Sequence, residues 1–358
     1  MTRGKRQASS SRDSETTRIV NKLLSGHQAD LKQLRQIAVV RGLVNNHVRC
    51  EAWPCLLGTR NVRIDRDEYL QLSERDHKDR GVVACDVDRS LWHFTGPDGM
   101  EEKRAALSRL LNASVASSIT ARDDDDGRID SRMRRKAIDL DRRRGVHYYQ
   151  GLHDIASVLL MVTGEDVAFP MLQHLVKHHL RDCTRIDLTP VLESLEFVFH
   201  LLKQADAELH DYIRSTGLPP HFAISWRLTW FTHEIRDLDQ CARLFDVFIA
   251  AHPLMPIYVG VASLMASREK ILAAEHDFAI LHQLLQKTSV TESAPLSEVI
   301  RTALGLYRRH PPSSFTGAVV SCTCSLEAFL GRDSGVWCVP DRDYEPRKSG
   351  SSGGGASS

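Results

Sequence analysis

The sequence has few aromatics, 6% of 358 residues, and almost no excess of charge, with a formal net charge of +1. Neither a base-stacking surface nor a global field that draws in nucleic acid is favoured, so no nucleic-acid partner is expected. Paired CxxC motifs are missing. The eight cysteines (Cys50, Cys55, Cys85, Cys183, Cys241, Cys322, Cys324 and Cys338) are scattered, and a chain of this length needs no disulfide staples. They read as reduced thiols of a cytoplasmic protein. No apolar run reaches the roughly 20 residues of a membrane span. The nearest stretch, FTGAVVSCTCSLEAFLG, is short and carries Glu327. The N-terminal MTRGKRQASSSRDSETTR lacks the apolar run of a signal peptide. Strand-like alternation is almost absent, and no segment repeats at a fixed period. GxxxxGK[ST], GxGxxG and GxSxG do not occur, so the chain has no phosphate-cradling loop or nucleophile elbow of its own.

What the sequence does contain is helical periodicity. Apolar positions recur at helical spacing from Ile19 to Leu43, and a charged helix is predicted around RDEYLQLSERDHKD. Thr189 and Pro190 give an N-cap and first-turn signal for a helix through Leu195, Val198, Leu202, Ala205 and Leu209 that ends near Gly217. After two prolines, Trp226 and Trp230 lie one helical turn apart. The class is all-α, with many helices of moderate length. Residues 1–18 read as a disordered tail, 19–312 as the folded body and 313–358 as a mostly disordered tail. Within the body, residues 112–130 are small, polar and acidic, include the Asp123–Asp126 run, and read as a loop.

Few residues offer chemistry. His174 and His178 have metal-ligand spacing on a helix, but no HExxH accompanies them, and no metal site is expected. The basic run between Arg134 and Arg143 reads as a solvated face balanced by the acidic loop. Two stretches are less ordinary. Read as a helix, ACDVDRSLWHF places Val87, Leu91 and Phe94 on one face, with Asp86, Arg89 and His93 opposite. Arg89 then points away from the core, with Asp86 one turn earlier to hold its guanidinium. In HYYQGLHD, Tyr148 and Tyr149 are either half-buried aromatics at a helix start or supports for Gln150. Gln150 either caps the helix or is presented outward. Glutamine cannot act as a general base; in catalysis it positions water. An outward arginine and a presented glutamine, without a nucleotide site, suggest a protein that completes the phosphoryl-transfer site of another.

These motifs carry a resemblance to the TBC-domain proteins, activators of Rab GTPases. The arginine-finger motif I-x-x-D-x-x-R reads here Val83-Ala84-Cys85-Asp86-Val87-Asp88-Arg89, with valine for isoleucine. The glutamine-finger motif Y-x-Q reads Tyr148-Tyr149-Gln150. RCEAWPCLLG (49–58), YYQGLHDIASVLL with Asp154, and SWRLTWFTHEIRDLDQCARLFDVFI (225–249) support it. The wording around the fingers is most similar to the endoplasmic-reticulum-associated subgroup. The resemblance implies a TBC domain of two helical subdomains with a shared groove. It also implies an activator, not a hydrolase by itself, that accelerates GTP hydrolysis by a Rab and regulates vesicle traffic on the early secretory route. Arg89 and Gln150 would be catalytic, with Asp86, Tyr148, Tyr149 and Asp154 in support. GTP and magnesium would belong to the partner, leaving the chain no cofactor of its own. Peripheral association with endoplasmic reticulum or Golgi membranes is implied as well. A catalytically silent Rab-binding adaptor is the alternative. The chain departs from the family in two ways: the 112–130 loop widens the gap between fingers, and the subgroup's usual C-terminal membrane anchor is not found.

Overall fold

The computed structural model describes residues 3–25, 30–92, 94–96, 98–117, 145–288 and 290–314. It is built of helices, and no strand occurs among the described residues. The first group comprises α1 (Arg3–Ser25), α2 (Leu31–Val40), α3 (Asn46–Leu56), α4 (Arg66–Glu74), α5 (Arg80–Asp88), α6 (Met100–Ala116), α7 (Leu152–Thr163) and α8 (Glu165–Lys177). The second comprises α9 (Thr189–Ala205), α10 (Ala207–Arg214), α11 (Ile224–Thr229), α12 (Leu238–Ala250), α13 (Met255–Ala266), α14 (Arg268–Leu272), α15 (Phe278–Lys287) and α16 (Leu296–Arg309). In the first group α6 packs on α4, α5, α7 and α8, while α3 packs on α1, α2, α7 and α8. In the second, α9 packs on α10, α11 and α13, and α13 on α16. Helix α12 touches α2, α3, α7 and α13, and so links the two groups.

The link is chemical as well as apolar. Asp246 on α12 is fully buried. Its Oδ1 accepts from Trp53 Nε1 at 2.9 Å and Arg49 Nε at 3.1 Å; its Oδ2 accepts from the Leu43 amide at 2.9 Å. A charge in the interior is tolerated when it is paired and its lone pairs are filled. This explains why RCEAW is a structural motif: Arg49 and Trp53 sit one turn apart on α3 and grip one carboxylate. Aromatic packing fills the second group, where Trp226 lies between Phe222 and Phe231, with ring centroids at 5.8 and 6.0 Å.

Several expectations are corrected. Arg3–Ser25 is one helix rather than a disordered tail over 1–18, with Thr16 and Val20 buried. The expected 112–130 loop begins too early. Residues 112 to 116 are the last turn of α6, all buried, because Leu107, Leu110, Leu111 and Val115 keep a helical apolar stripe running. The Asp123–Asp126 run and the basic segment from Arg134 to Arg143 lie outside the described residues. The helix predicted from Thr189 to near Gly217 is two helices, broken at Asp206, whose carboxylate caps the second through the Leu209 amide at 3.0 Å. Thr189 is the first residue of α9 rather than its cap. Trp226 and Trp230 do not share one helix face. The chain turns left-handed at Trp230 (φ +52°), which packs on Phe245 at 5.0 Å instead.

Candidate functional site

Helix α5 buries Val83 and Val87 and stops at Asp88. Arg89 follows it, with its side chain 67% exposed. The sequence reading carried the helix on to Phe94. The structure ends it earlier because Leu91 takes a left-handed conformation (φ +70°). Asp86 also differs from expectation. It is buried, not on the outward face with Arg89. At 100° per residue it lies about 60° from Val83 and about 60° from Arg89, a boundary position that the packing of α6 and α7 closes over. His93 lies outside the described residues.

That burial makes Asp86 the centre of the site. Its Oδ1 accepts from Arg89 Nη2 at 2.7 Å, and its Oδ2 accepts from the Tyr148 hydroxyl at 2.7 Å. Arg89 Nε also donates to the Cys85 carbonyl at 3.2 Å. The guanidinium is therefore held along its Nε–Nη2 edge, although the side chain as a whole is exposed. The pKa of Tyr148 is raised by burial and the Asp86 carboxylate, so its hydroxyl stays a donor. His153 Nδ1 lies 3.2 Å from that hydroxyl and 3.4 Å from Asp86 Oδ2, and its Nε2 lies 3.3 Å from Asp154. Asp154 faces His153 and, at 3.8 Å, His233.

The second arm begins two residues beyond Tyr148. The Tyr148 amide donates to Asp79 at 3.1 Å, and the His147 amide to the Thr184 carbonyl at 2.9 Å. Tyr149 is buried, and burial raises its phenol pKa well above the ordinary value. Gln150 is exposed. It does not cap α7; the capping residue is Gly151, at φ +113°. Only glycine adopts that conformation without strain. A Cβ there would also meet Thr229 Cγ2 at 3.0 Å. Two anchored tyrosines before Gln150 and a left-handed glycine after it present the amide outward.

Of the six residues singled out in the sequence, Asp86, Arg89 and Tyr148 are directly bonded to one another, Asp154 reaches them through His153, and Tyr149 and Gln150 follow Tyr148 along the chain. His153 and Asp79 were not singled out. The first lies within the quoted motif; nothing in the sequence marks the second. His174 and His178 stand apart from this cluster, their rings 4.4 Å apart and tilted by 44°. No group of three potential metal ligands occurs among the described residues.

Residues 140–272 match the Rab-GTPase-TBC domain. The mouse protein "TBC1 domain family member 20" is 32% identical over 300 residues, covering 82% of this chain and 67% of that protein. The chain belongs to the Rab-GTPase-TBC domain family. The GTPase-activating protein gyp10 of Schizosaccharomyces pombe is 33% identical over 279 residues, 76% of this chain and 67% of its own length. The chain thus spans about two thirds of the relatives it matches. Among solved structures, the Ypt/Rab-GAP domain of Gyp1p superposes with a TM-score of 0.60 at 14% identity, covering 83% of this chain and 98% of that one. The Chlamydomonas flagellar RabGAP TBC domain gives 0.58 at 17% identity, covering 83% and 91%. The TBC fold is therefore that of this chain. The matched domain residues include Gln150, whereas Asp86 and Arg89 precede them.

Proposed function

We propose that this TBC protein accelerates GTP hydrolysis by a Rab-family GTPase and that it does so by supplying Arg89 and Gln150 in trans. The observation that carries the reading is Asp86, a buried carboxylate that holds Arg89 with one oxygen and Tyr148 with the other. One carboxylate thus grips one finger and the tyrosine two residues before the other. Arg89 offsets the charge that develops on the γ-phosphoryl oxygens, an effect of about 10³–10⁵ in rate for fingers of this kind. Gln150 orients the attacking water through its paired donor and acceptor. GTP and magnesium are held by the partner, and the chain contributes side chains only. Asp154 acts at one remove, by orienting His153 beneath Asp86. Membership of the TBC family and relatives named as GTPase-activating proteins support the activity. The motif wording around the fingers supports a Rab of the early secretory route, with action at endoplasmic reticulum or Golgi membranes. No helix among the described residues is long and apolar enough to cross a bilayer.

The test is Gln150→Ala. Because Gln150 is exposed, its loss should leave the melting temperature unchanged. Loss of the positioned water should slow Rab-catalysed hydrolysis by about 100-fold. A variant that melts far lower with an undiminished rate per folded molecule would assign Gln150 to the start of α7 instead. Tight Rab binding by the wild type without any acceleration would favour the adaptor reading.

A further inference from the structure

The turn after the arginine finger exposes a tryptophan. Leu91 is left-handed (φ +70°), which costs a branched side chain energy that the surrounding structure must offset. Its carbonyl accepts from the Phe94 and Thr95 amides at 3.0 and 3.1 Å, closing the turn. Leu91 is buried and Phe94 packs against the core. The conformation that turns Leu91 inward turns its neighbour out. Trp92 is 61% exposed, more than any other large hydrophobic residue among the described ones.

The ring is not loose. Arg104 Cζ lies over it at 4.6 Å, and Arg104 is itself mostly buried and paired to Glu101 at 3.2 Å. Cation–π contact holds one ring face and leaves the other to solvent. A side chain already ordered loses less entropy when it is covered. Val82 is also 51% exposed. It stands seven residues before Arg89, about 20° from it around α5, on the same side. Two exposed apolar side chains therefore flank the finger. Exposed tryptophan is rare on a surface that meets only water, and tryptophan is enriched where a partner is anchored.

We propose that Trp92, stacked on Arg104, is a docking anchor for the GTPase that sets affinity rather than turnover. This rests on the two-finger reading. An arginine that enters a partner's nucleotide cleft brings its flanks against that partner. A standard interface covers about 800 Å² on each side, so a residue three positions from the finger falls inside it. The chemistry required of the GTPase is an apolar or aromatic side chain beside its nucleotide cleft, placed to cover the free face of the indole.

The experiment uses the full chain with purified Rabs loaded with GTP. Single-turnover rates are measured against activator concentration for the wild type, Trp92→Ala, Trp92→Phe and Arg89→Ala. For the Rab most accelerated, Trp92→Ala should raise the half-saturating concentration roughly 30-fold, leave the rate at saturation near wild type, and leave the melting temperature unchanged. Trp92→Phe should recover most of the affinity. An unchanged half-saturating concentration overturns the anchor. So does a lower melting temperature that accounts for the whole loss, since Trp92 then serves only to cover Arg104. Trp92-dependent sedimentation with phosphatidylserine vesicles, at unchanged affinity for the GTPase, would assign the ring to a membrane and overturn it too. Arg89→Ala separates the two readings. If its saturating rate collapses while Trp92→Ala behaves as wild type, only the anchor fails. If Arg89→Ala is as active as wild type, or if no Rab is accelerated, the two-finger reading fails and the anchor with it.

Discussion

Asp86 carries two loads that a single mutation removes together. Removing its carboxylate leaves the buried Tyr148 hydroxyl without its 2.7 Å acceptor. An unsatisfied buried donor costs about 1–3 kcal/mol. It also frees the Arg89 guanidinium, and misplacement of a catalytic group costs up to about 100-fold in rate. Asp86→Ala should therefore lose both stability and activity, read by urea denaturation and single-turnover hydrolysis. A fall in only one of the two would break the link between anchor and finger. Both motifs were legible in the sequence because each needs a specific residue type at fixed spacing. The burial of Asp86 was not legible, since a boundary position on α5 is decided by the helices packed over it. The exposure of Gln150 was likewise left open, because it turns on the left-handed backbone of Gly151, which the sequence does not specify.

At the scale of elements, α11 connects the aromatic core to the site. It carries Trp226 against α13 and Thr229 against Gly151. A Cβ at Gly260 on α13 would lie 2.1 Å from the Trp226 ring. That ring is wedged between Phe222 and Phe231 and cannot move away freely. Gly260→Ala should cost about 1–3 kcal/mol by overpacking, measured as a lower denaturation midpoint; a neutral result would mean that α11 shifts without cost. Helix existence was readable from apolar spacing, as α9, α12 and α16 illustrate. Breaks were not. Asp206 sits inside an uninterrupted helical pattern, and only its cap on Leu209 shows that the chain restarts there. The last turn of α6 was missed for the opposite reason: Asn112 and Ser114 look like loop residues, yet each bonds a carbonyl one turn back, at 2.8 and 2.7 Å.

At the scale of the whole molecule, buried histidines set the acid limit of stability. Burial pushes His174 and His252 down from 6.5 to about 3, and pushes His179 well below its ordinary value. All three are neutral in the fold. The unfolded chain takes up protons as pH falls through about 6.5, whereas the fold resists until about 3. Stability from these groups is complete above pH 6.5 and is lost progressively below it. Glu234, raised by burial, works in the opposite sense, but His178 and His310, also lowered by burial, add to the histidine side. The melting temperature should be flat above neutrality and decline from pH 6.5 toward 5. A flat profile across that window would show that these histidines are hydrated or charged in the fold. The all-α class and the family were readable from the sequence, because the five motifs lie in order along the chain. The joining of the two helical groups was not. It depends on Asp246, whose partners Leu43, Arg49 and Trp53 lie about two hundred residues away.

The most direct test of the mechanism is single-turnover GTP hydrolysis by a panel of purified Rabs, with wild-type protein beside Arg89→Ala. Arg89→Ala removes the partner of the buried Asp86 carboxylate and should cost about 1–3 kcal/mol of stability, so the rate is compared per folded molecule. The two-finger mechanism predicts acceleration of a subset of Rabs, reduced about 10³-fold or more in the variant. Equal acceleration by both proteins would contradict it.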